Sequence, residues 1–272
     1  MTDDKVTLAA VQQMKRDGRK IAAVVAYDYQ IAQIVDRAGV DVVSVGDSVG
    51  VNLWGHRSQR EVTLDQMTLV CRAVRRGVTR ALVSCDLPFG ALQQGPGAAV
   101  DAARRLVTEG GADLIKLDGA SSCPDALAAI VRAGIPVWAQ FGIEPHTADG
   151  DLKTSAVPVD AATEERLVRE ATLLEDAGAA MLDFTNSGPV AGPDVVRAVD
   201  LPVLGGLGGG PWLDGRIRSV VAAIGYSASA LDDPAPRYAN VAAVTLQAIQ
   251  AFCDDVRAGR QIRGGAPGAP PR

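Results

Sequence analysis

The sequence is poor in histidine, lysine and aromatic residues. Its 272 residues include two histidines, His56 and His146, and five lysines, Lys5, Lys15, Lys20, Lys116 and Lys153. Two histidines rule out a three-histidine zinc site and leave a Ser-His-Asp triad only two candidates for its base. Any metal site must draw mainly on carboxylates, which suit a hard cation such as Mg²⁺. Arginines outnumber lysines strongly, as GC-rich coding would produce, so a lysine inside an apolar segment stands out. Aromatics make up 4% of the chain, and the core has to be built from Ala, Val, Leu and Ile. Cys71, Cys85, Cys123 and Cys253 are far apart and form no CxxC pair. That spacing speaks against a zinc ribbon or a disulfide framework and predicts reduced cytosolic thiols. The stretch MTDDKVTLAAVQQMKRDGRK has no signal-peptide apolar core, and no run approaches the roughly 18 apolar residues of a membrane span. A net charge of −5 without a basic cluster argues against nucleic acid as a partner. These absences predict a cytoplasmic protein with neither membrane nor nucleic acid as partner.

What is present is a repeating pattern. Hydrophobic residues reach 47%, which excludes global disorder. Helical stretches end in Ala-Gly or Gly-Gly, an apolar run follows, and a polar or acidic residue closes it. AGVDVVSVGD, GGADLIKLD, AGIPVWAQ and AGAAMLDFT all fit. Glycine suits the helix C′ position, and a run apolar on both faces suits a buried parallel strand. Such runs fall near 21–27, 41–46, 80–86, 112–118, 136–140, 180–185, 202–206 and 219–225. Amphipathic helical patterns fall at 30–38, 63–76, 97–109, 124–133, 162–177 and 192–199, with a last helix at 237–258. Eight alternations predict an α/β fold, a (β/α)₈ TIM barrel, as a single domain over residues 1–262. The competing doubly wound sheet lacks a GxGxxG after its first strand. Residues 263–272, rich in Gly and Pro, are predicted to be disordered. Segment 143–161 is long for a βα loop and reads as a lid.

Barrel active sites lie at the C-terminal ends of the strands. Those ends carry Asp28, Asp47 with Ser48, Asp86, Lys116 with Asp118, Gln140, and Asp183 with Thr185. An aspartate at such a position is often only a helix N-cap. Asp47, Asp86 and Asp118 follow adjacent strands, and three converging carboxylates repel unless a cation neutralises them. Lys116 shares a strand face with Leu114 and Asp118 and requires a carboxylate or an anionic ligand. The run GGLGGG after the seventh strand reads as a tight, closely packed turn, or else as a phosphate cradle. His56 and His146 both fall in loop-like segments.

The segment AYDYQIAQIVDRAGVDVVSVGDSVGVNLWGHRSQREVTLDQM resembles the ketopantoate hydroxymethyltransferase family of the phosphoenolpyruvate/pyruvate barrel superfamily. VSCDLPFG, EGGADLIKLDG, AGIPVWAQFGIEP and LDGRIRSVVAAIGY extend the resemblance to about residues 20–260. It implies a divalent metal, a 2-oxo acid substrate, and 5,10-methylenetetrahydrofolate as one-carbon donor. Addition would proceed through a metal-bound enolate. Matched residue by residue, Asp47, Asp86 and Asp118 become metal ligands, Asp118 replacing a usual glutamate. Ser48 and Lys116 become contacts to the substrate carboxylate, and a homo-oligomer is implied.

The departures are specific. The family's general-base glutamate aligns on Thr185, whose hydroxyl is no base near neutral pH. Asp183 lies two residues earlier on the same face. Gln140 stands where the family has a histidine, and His146 follows six residues on. The lid becomes DGDLKTSAVP, and the His-Asp pair after strand eight is missing. These features predict a divergent hydroxymethyltransferase-like enzyme of a specialised biosynthetic pathway. Lys116, His146 and Asp183 are its catalytic candidates, and Ser48, Lys116, Gln140 and Thr185 its substrate contacts. A folate-independent C–C lyase, aldolase or decarboxylase and a non-catalytic barrel scaffold are the alternatives.

Overall fold

Eight short strands follow one another around the sheet in chain order. They are β1 (Ile21–Val25), β2 (Val42–Val45), β3 (Leu82–Asp86), β4 (Leu114–Leu117), β5 (Val137–Gly142), β6 (Met181–Thr185), β7 (Val203–Gly205) and β8 (Gly215–Ser219). All pairs from β1·β2 to β7·β8 are parallel and the barrel is closed. The computed structural model describes residues 4–143, 159–206 and 208–264. Strands β2, β3, β4 and β6 are buried at every position, as apolar runs flanked by helices on one side and barrel interior on the other must be.

The helices are α1 (Leu8–Arg16), α2 (Tyr29–Arg37), α3 (Val49–Trp54), α4 (Leu64–Gly77), α5 (Phe89–Leu92), α6 (Pro96–Arg105), α7 (Pro124–Arg132), α8 (Ala161–Asp176), α9 (Ala191–Ala198), α10 (Val220–Ile224) and α11 (Val241–Arg257). Side-chain caps start several of them. The Asp28 carboxylate accepts from Ile31 N, and Thr63 with Gln66 forms a capping box on α4. Helix α6 runs into a π-turn, Leu106–Gly110, and stops at Gly111, whose φ of +81° needs glycine.

Two features depart from expectation. The eighth strand is not 219–225: β8 is Gly215–Ser219, and 220–224 is helical. VVAAI is apolar on every side and reads as a strand, whereas GRIRS turns only Gly215 and Ile217 inward and leaves Arg216 and Arg218 exposed. Gly215 is required there, because a Cβ would stand 2.3 Å from Ile21 O. Ile21 N donates to Asp214 O at 3.0 Å across the same seam. The second departure is α1, which the apolar pattern did not single out. Its Val11 and Met14 pack with Ile21, Ala23, Val42, Leu82, Leu114, Trp138, Met181, Leu204 and Ile217, plugging the N-terminal end of the barrel.

By compactness the chain divides into Met1–Arg218, which carries nearly all of the barrel, and Ser219–Arg272. Within the second unit, Asn240 caps α11 by accepting from Ala243 N and donates to Ala230 O. The expected tail lies mostly outside the described residues, as does most of the expected lid.

Candidate active site

Parallel strands deliver their C-terminal residues to one mouth, and here that mouth is acidic. Asp86 ends β3, Asp47 sits in the turn after β2, and Asp118 follows β4. Each offers a carboxylate oxygen within 4.8 Å of the others. Asp47 N donates to Asp86 Oδ2 at 3.2 Å, so the backbone of one loop fixes the side chain of the next strand. Burial, reinforced by the charges of Asp118 and Asp86, holds the Asp47 carboxyl well above the usual range. Burial likewise pushes Asp86 up to about 7, against the pull of Lys116.

Lys116 is 5% exposed and sits among carboxylates. Its Nζ bonds Asp118 Oδ1 and lies 3.8 Å from Asp86 Oδ1 and 3.5 Å from Asp183 Oδ2. Burial alone would lower its pKa, but Asp118, Asp86 and Asp183 outweigh that and hold the ammonium well above its ordinary value. Even so, Asp86 Oδ1 and Asp183 Oδ1 accept no hydrogen bond among the described residues. Three converging carboxylates with an orphaned buried oxygen and only hard donors fit a divalent cation.

A cavity of about 800 Å³ opens at this mouth. Asp47, Asp118, Gln140 and Thr185 line one part of it, and Arg60, Phe89, Gln93 and Arg166 line another. The Arg60 guanidinium lies 4.6 Å from the centre of the Phe89 ring, and Arg166 pairs with Glu170.

Each sequence candidate has a place. Ser48 adjoins Asp47, and its Oγ lies 3.0 Å from the Tyr27 hydroxyl. Tyr27 Oη accepts from Asn52 Nδ2 at 2.9 Å. Gly46 makes room for this arrangement, since a Cβ there would meet Ser48 Oγ at 2.9 Å. Gln140 Nε2 donates to Asp183 Oδ2 at 3.4 Å. Burial raises the Asp183 carboxyl despite Lys116 and Gln140 beside it. Thr185 Oγ1 donates to Phe141 O at 3.0 Å. His146 lies outside the described residues. Tyr27 and Asn52 were missed from the sequence, although Asn52 stands one helical turn beyond Ser48 and so reaches the same spot.

The glycine run after β7 is a packing device. A Cβ at Gly205 would meet Phe184 O at 2.5 Å, and one at Gly206 would meet Ile217 O at 2.8 Å. Trp212 fills the space left by Gly210 and Gly192, each 2.2 Å from the ring at its would-be Cβ. Arg216 donates to the carbonyls of Gly205 and Gly206, so this turn turns carbonyls, not amides, toward its partner. That is the tight-turn reading of GGLGGG, its first two glycines being required by close packing.

Comparison with known proteins agrees with this geometry. The family model for ketopantoate hydroxymethyltransferase matches residues 5–261. A 3-methyl-2-oxobutanoate hydroxymethyltransferase from Cyanothece sp. is 38% identical over 93% of this chain and 96% of its own length. One from Salinibacter ruber is 37% identical over 93% of this chain and 95% of its own. Among solved structures, 2,3-dimethylmalate lyase superposes with a TM-score of 0.59 at 15% identity, covering 97% of this chain and 90% of its own. A phosphonopyruvate hydrolase complex with oxalate and Mg²⁺ gives 0.59 at 14% identity, with coverages of 96% and 89%.

Proposed function

The chain belongs to the ketopantoate hydroxymethyltransferase family, and from that premise we propose that it is a metal-dependent hydroxymethyltransferase-like enzyme. In this reading it adds a one-carbon unit from 5,10-methylenetetrahydrofolate to the α-carbon of a 2-oxo acid. The observation that carries it is the carboxylate triad, two of whose members, Asp47 and Asp118, line the cavity, with Lys116 bonded to Asp118.

Asp47, Asp86 and Asp118 would hold the divalent cation, Mg²⁺ by their all-oxygen chemistry, directly or through water. Bound there, it supplies Lewis acidity that makes an α-proton of an oxo acid easier to remove. Lys116 contributes a permanent positive charge for the substrate carboxylate, and Ser48 contributes a hydroxyl. The Tyr27–Asn52 pair sets the direction of that hydroxyl. Gln140 and Thr185 complete the wall as polar contacts. The Thr185 hydroxyl is committed to Phe141 O and takes no proton near neutral pH. Asp183, bonded to Gln140 and beside Lys116, and His146 are the two candidates for the proton-accepting role.

Loss of the family's glutamate and of its lid sequence supports a divergent paralogue with a changed substrate. We place it in a specialised biosynthetic pathway, as a cytoplasmic homo-oligomer. No helix among the described residues is long and apolar enough to cross a membrane.

The test is incubation with Mg²⁺, a panel of 2-oxo acids and 5,10-methylenetetrahydrofolate labelled in its one-carbon unit. Label in a hydroxymethylated acid is expected. Cleavage of the acids without label transfer would instead favour a folate-independent lyase. Growth of a pantothenate-requiring strain on this chain would overturn the divergence, and Thr185→Glu is expected to raise activity on 3-methyl-2-oxobutanoate.

A further inference from the structure

A further carboxylate is buried beside the triad. Asp183 is 4% exposed, is not a member of the candidate cation triad, and has one oxygen without a hydrogen bond among the described residues. Its other oxygen lies 3.5 Å from Lys116 Nζ and 3.4 Å from Gln140 Nε2. Lys116 meanwhile leans on Asp118 and faces Asp86, both members of the triad. Lysine and a divalent cation therefore compete for the same two carboxylates.

We propose that Asp183 is the positioning residue for Lys116: when a cation takes Asp86 and Asp118, the ammonium transfers to Asp183, whose unfilled oxygen receives it. The ammonium thereby stays charged and buried beside a dication, which it could not do without a counter-ion of its own. In the metal-free mouth Lys116 stands in for the cation. In the loaded mouth it is a fixed cation held from below by Asp183, with Gln140 orienting the carboxylate. No bond is made or broken in this exchange.

The inference rests on the divalent-cation reading, and one experiment separates the two. Mn²⁺ binding is measured by titration calorimetry on the full chain for wild type, Asp183→Asn, Lys116→Met and the double variant. Asp183→Asn is expected to weaken binding roughly tenfold when Lys116 is present and less than about twofold when it is Met, a coupling typical of contacting charges. Asp183→Glu, which keeps the charge, is expected to restore most of the affinity. Equal weakening in both lysine backgrounds would overturn the proposal, because Asp183 would then act on the cation directly. No effect in either background would overturn it too. Absence of Mn²⁺ binding by wild type would instead remove the cation reading itself. If Asp183→Asn does not fold, Asp183→Ser is read in its place in both lysine backgrounds: loss of affinity only with Lys116 supports the proposal, and equal loss or no loss in both overturns it.

Discussion

The two ends of the barrel use the same residue for opposite purposes. At the N-terminal end, aspartates precede strands and accept from the amides of neighbouring strands. Asp41 accepts from Ala22 N at 2.9 Å, Asp113 from Val83 N at 2.9 Å, and Asp214 from Val203 N at 2.9 Å. Each stands just before an even-numbered strand and satisfies an amide of the odd-numbered strand before it. Asp36 on α2 takes the amides of Thr79, Arg80 and Ala81, together with the Thr79 hydroxyl. At the C-terminal end, aspartates follow strands and crowd one another, leaving oxygens on Asp86 and Asp183 with no hydrogen bond among the described residues. Lysines divide the same way. Lys15 donates to the carbonyls of Val196, Val199 and Leu201 and pairs with Asp214 at 3.1 Å, so its environment is complete. Lys116 brings one positive charge to three carboxylates. A satisfied charge locks structure; a frustrated cluster marks a place prepared for a ligand.

The comparison breaks most visibly at Asp86. Asp86→Asn is expected to cut metal affinity and turnover by more than about 100-fold, since even outer-shell partners of a metal cost 10–100-fold. Calorimetry with Mn²⁺ and the labelled-folate assay read both. If affinity survives, Asp86 is not a ligand and the triad is wrongly assigned. At the other end, Lys15→Met is expected to cost about 3 kcal/mol of stability by stranding Asp214 and the carbonyls of Val196, Val199 and Leu201. Urea unfolding measures that loss, and turnover of the folded fraction should stay as in wild type. A stable Lys15→Met with impaired turnover would reverse the division between the ends.

The ends should also respond to pH with opposite signs. For Asp36, burial pushes the carboxyl up, but bonds from Ala81, Thr79 and Arg80 win and hold it below 3.8. Its stabilisation is present above the ordinary carboxylate range and fades as pH falls through the depressed value. Asp86 is the reverse. With its carboxyl raised to about 7, its folded-state preference is for the proton, and the stability this lends is lost as pH rises from about 4 through 7. In metal-free protein at pH 8, Asp86→Asn should therefore be more stable than wild type by roughly 2–4 kcal/mol, and the gap should close near pH 4. Asp36→Asn should be less stable than wild type at pH 8, with its gap closing only in stronger acid. Urea midpoints across this range decide it; parallel slopes would mean the two carboxylates are not in the contrasting environments described.

Sequence pattern alone made the barrel legible because a buried parallel strand leaves an apolar run, and seven such runs alternating with helices leave little choice of architecture. The mouth aspartates were legible for a related reason, since Asp47, Asp86 and Asp118 each close such a run. What failed was β8, where Arg216 and Arg218 face out and Gly215 must be small, so no apolar run exists to be seen. Helix α1 escaped because only Val11 and Met14 of its nine residues are buried. The base aspartates were not separated from N-caps or surface charges, because their role depends on which amide of a neighbouring strand lies opposite. The partners of Ser48 were missed for the same reason.

That pair gives the smallest and sharpest test of the mouth. Tyr27 is 4% exposed and reads as a core aromatic, yet its hydroxyl meets Ser48 Oγ at 3.0 Å and Asn52 at 2.9 Å. If Tyr27 only fills space, Tyr27→Phe keeps the ring and changes nothing but the hydroxyl. If it aims Ser48 at the substrate carboxylate, removing one neutral hydrogen bond should cost about 1 kcal/mol, or roughly fivefold in kcat/KM. The loss should fall on KM rather than kcat, because a carboxylate contact is made equally before and during reaction. Ser48→Ala should produce a similar loss, and Tyr27→Phe added to it should cost little more, since the tyrosine then has nothing left to aim. Additive losses would assign Tyr27 a contact of its own.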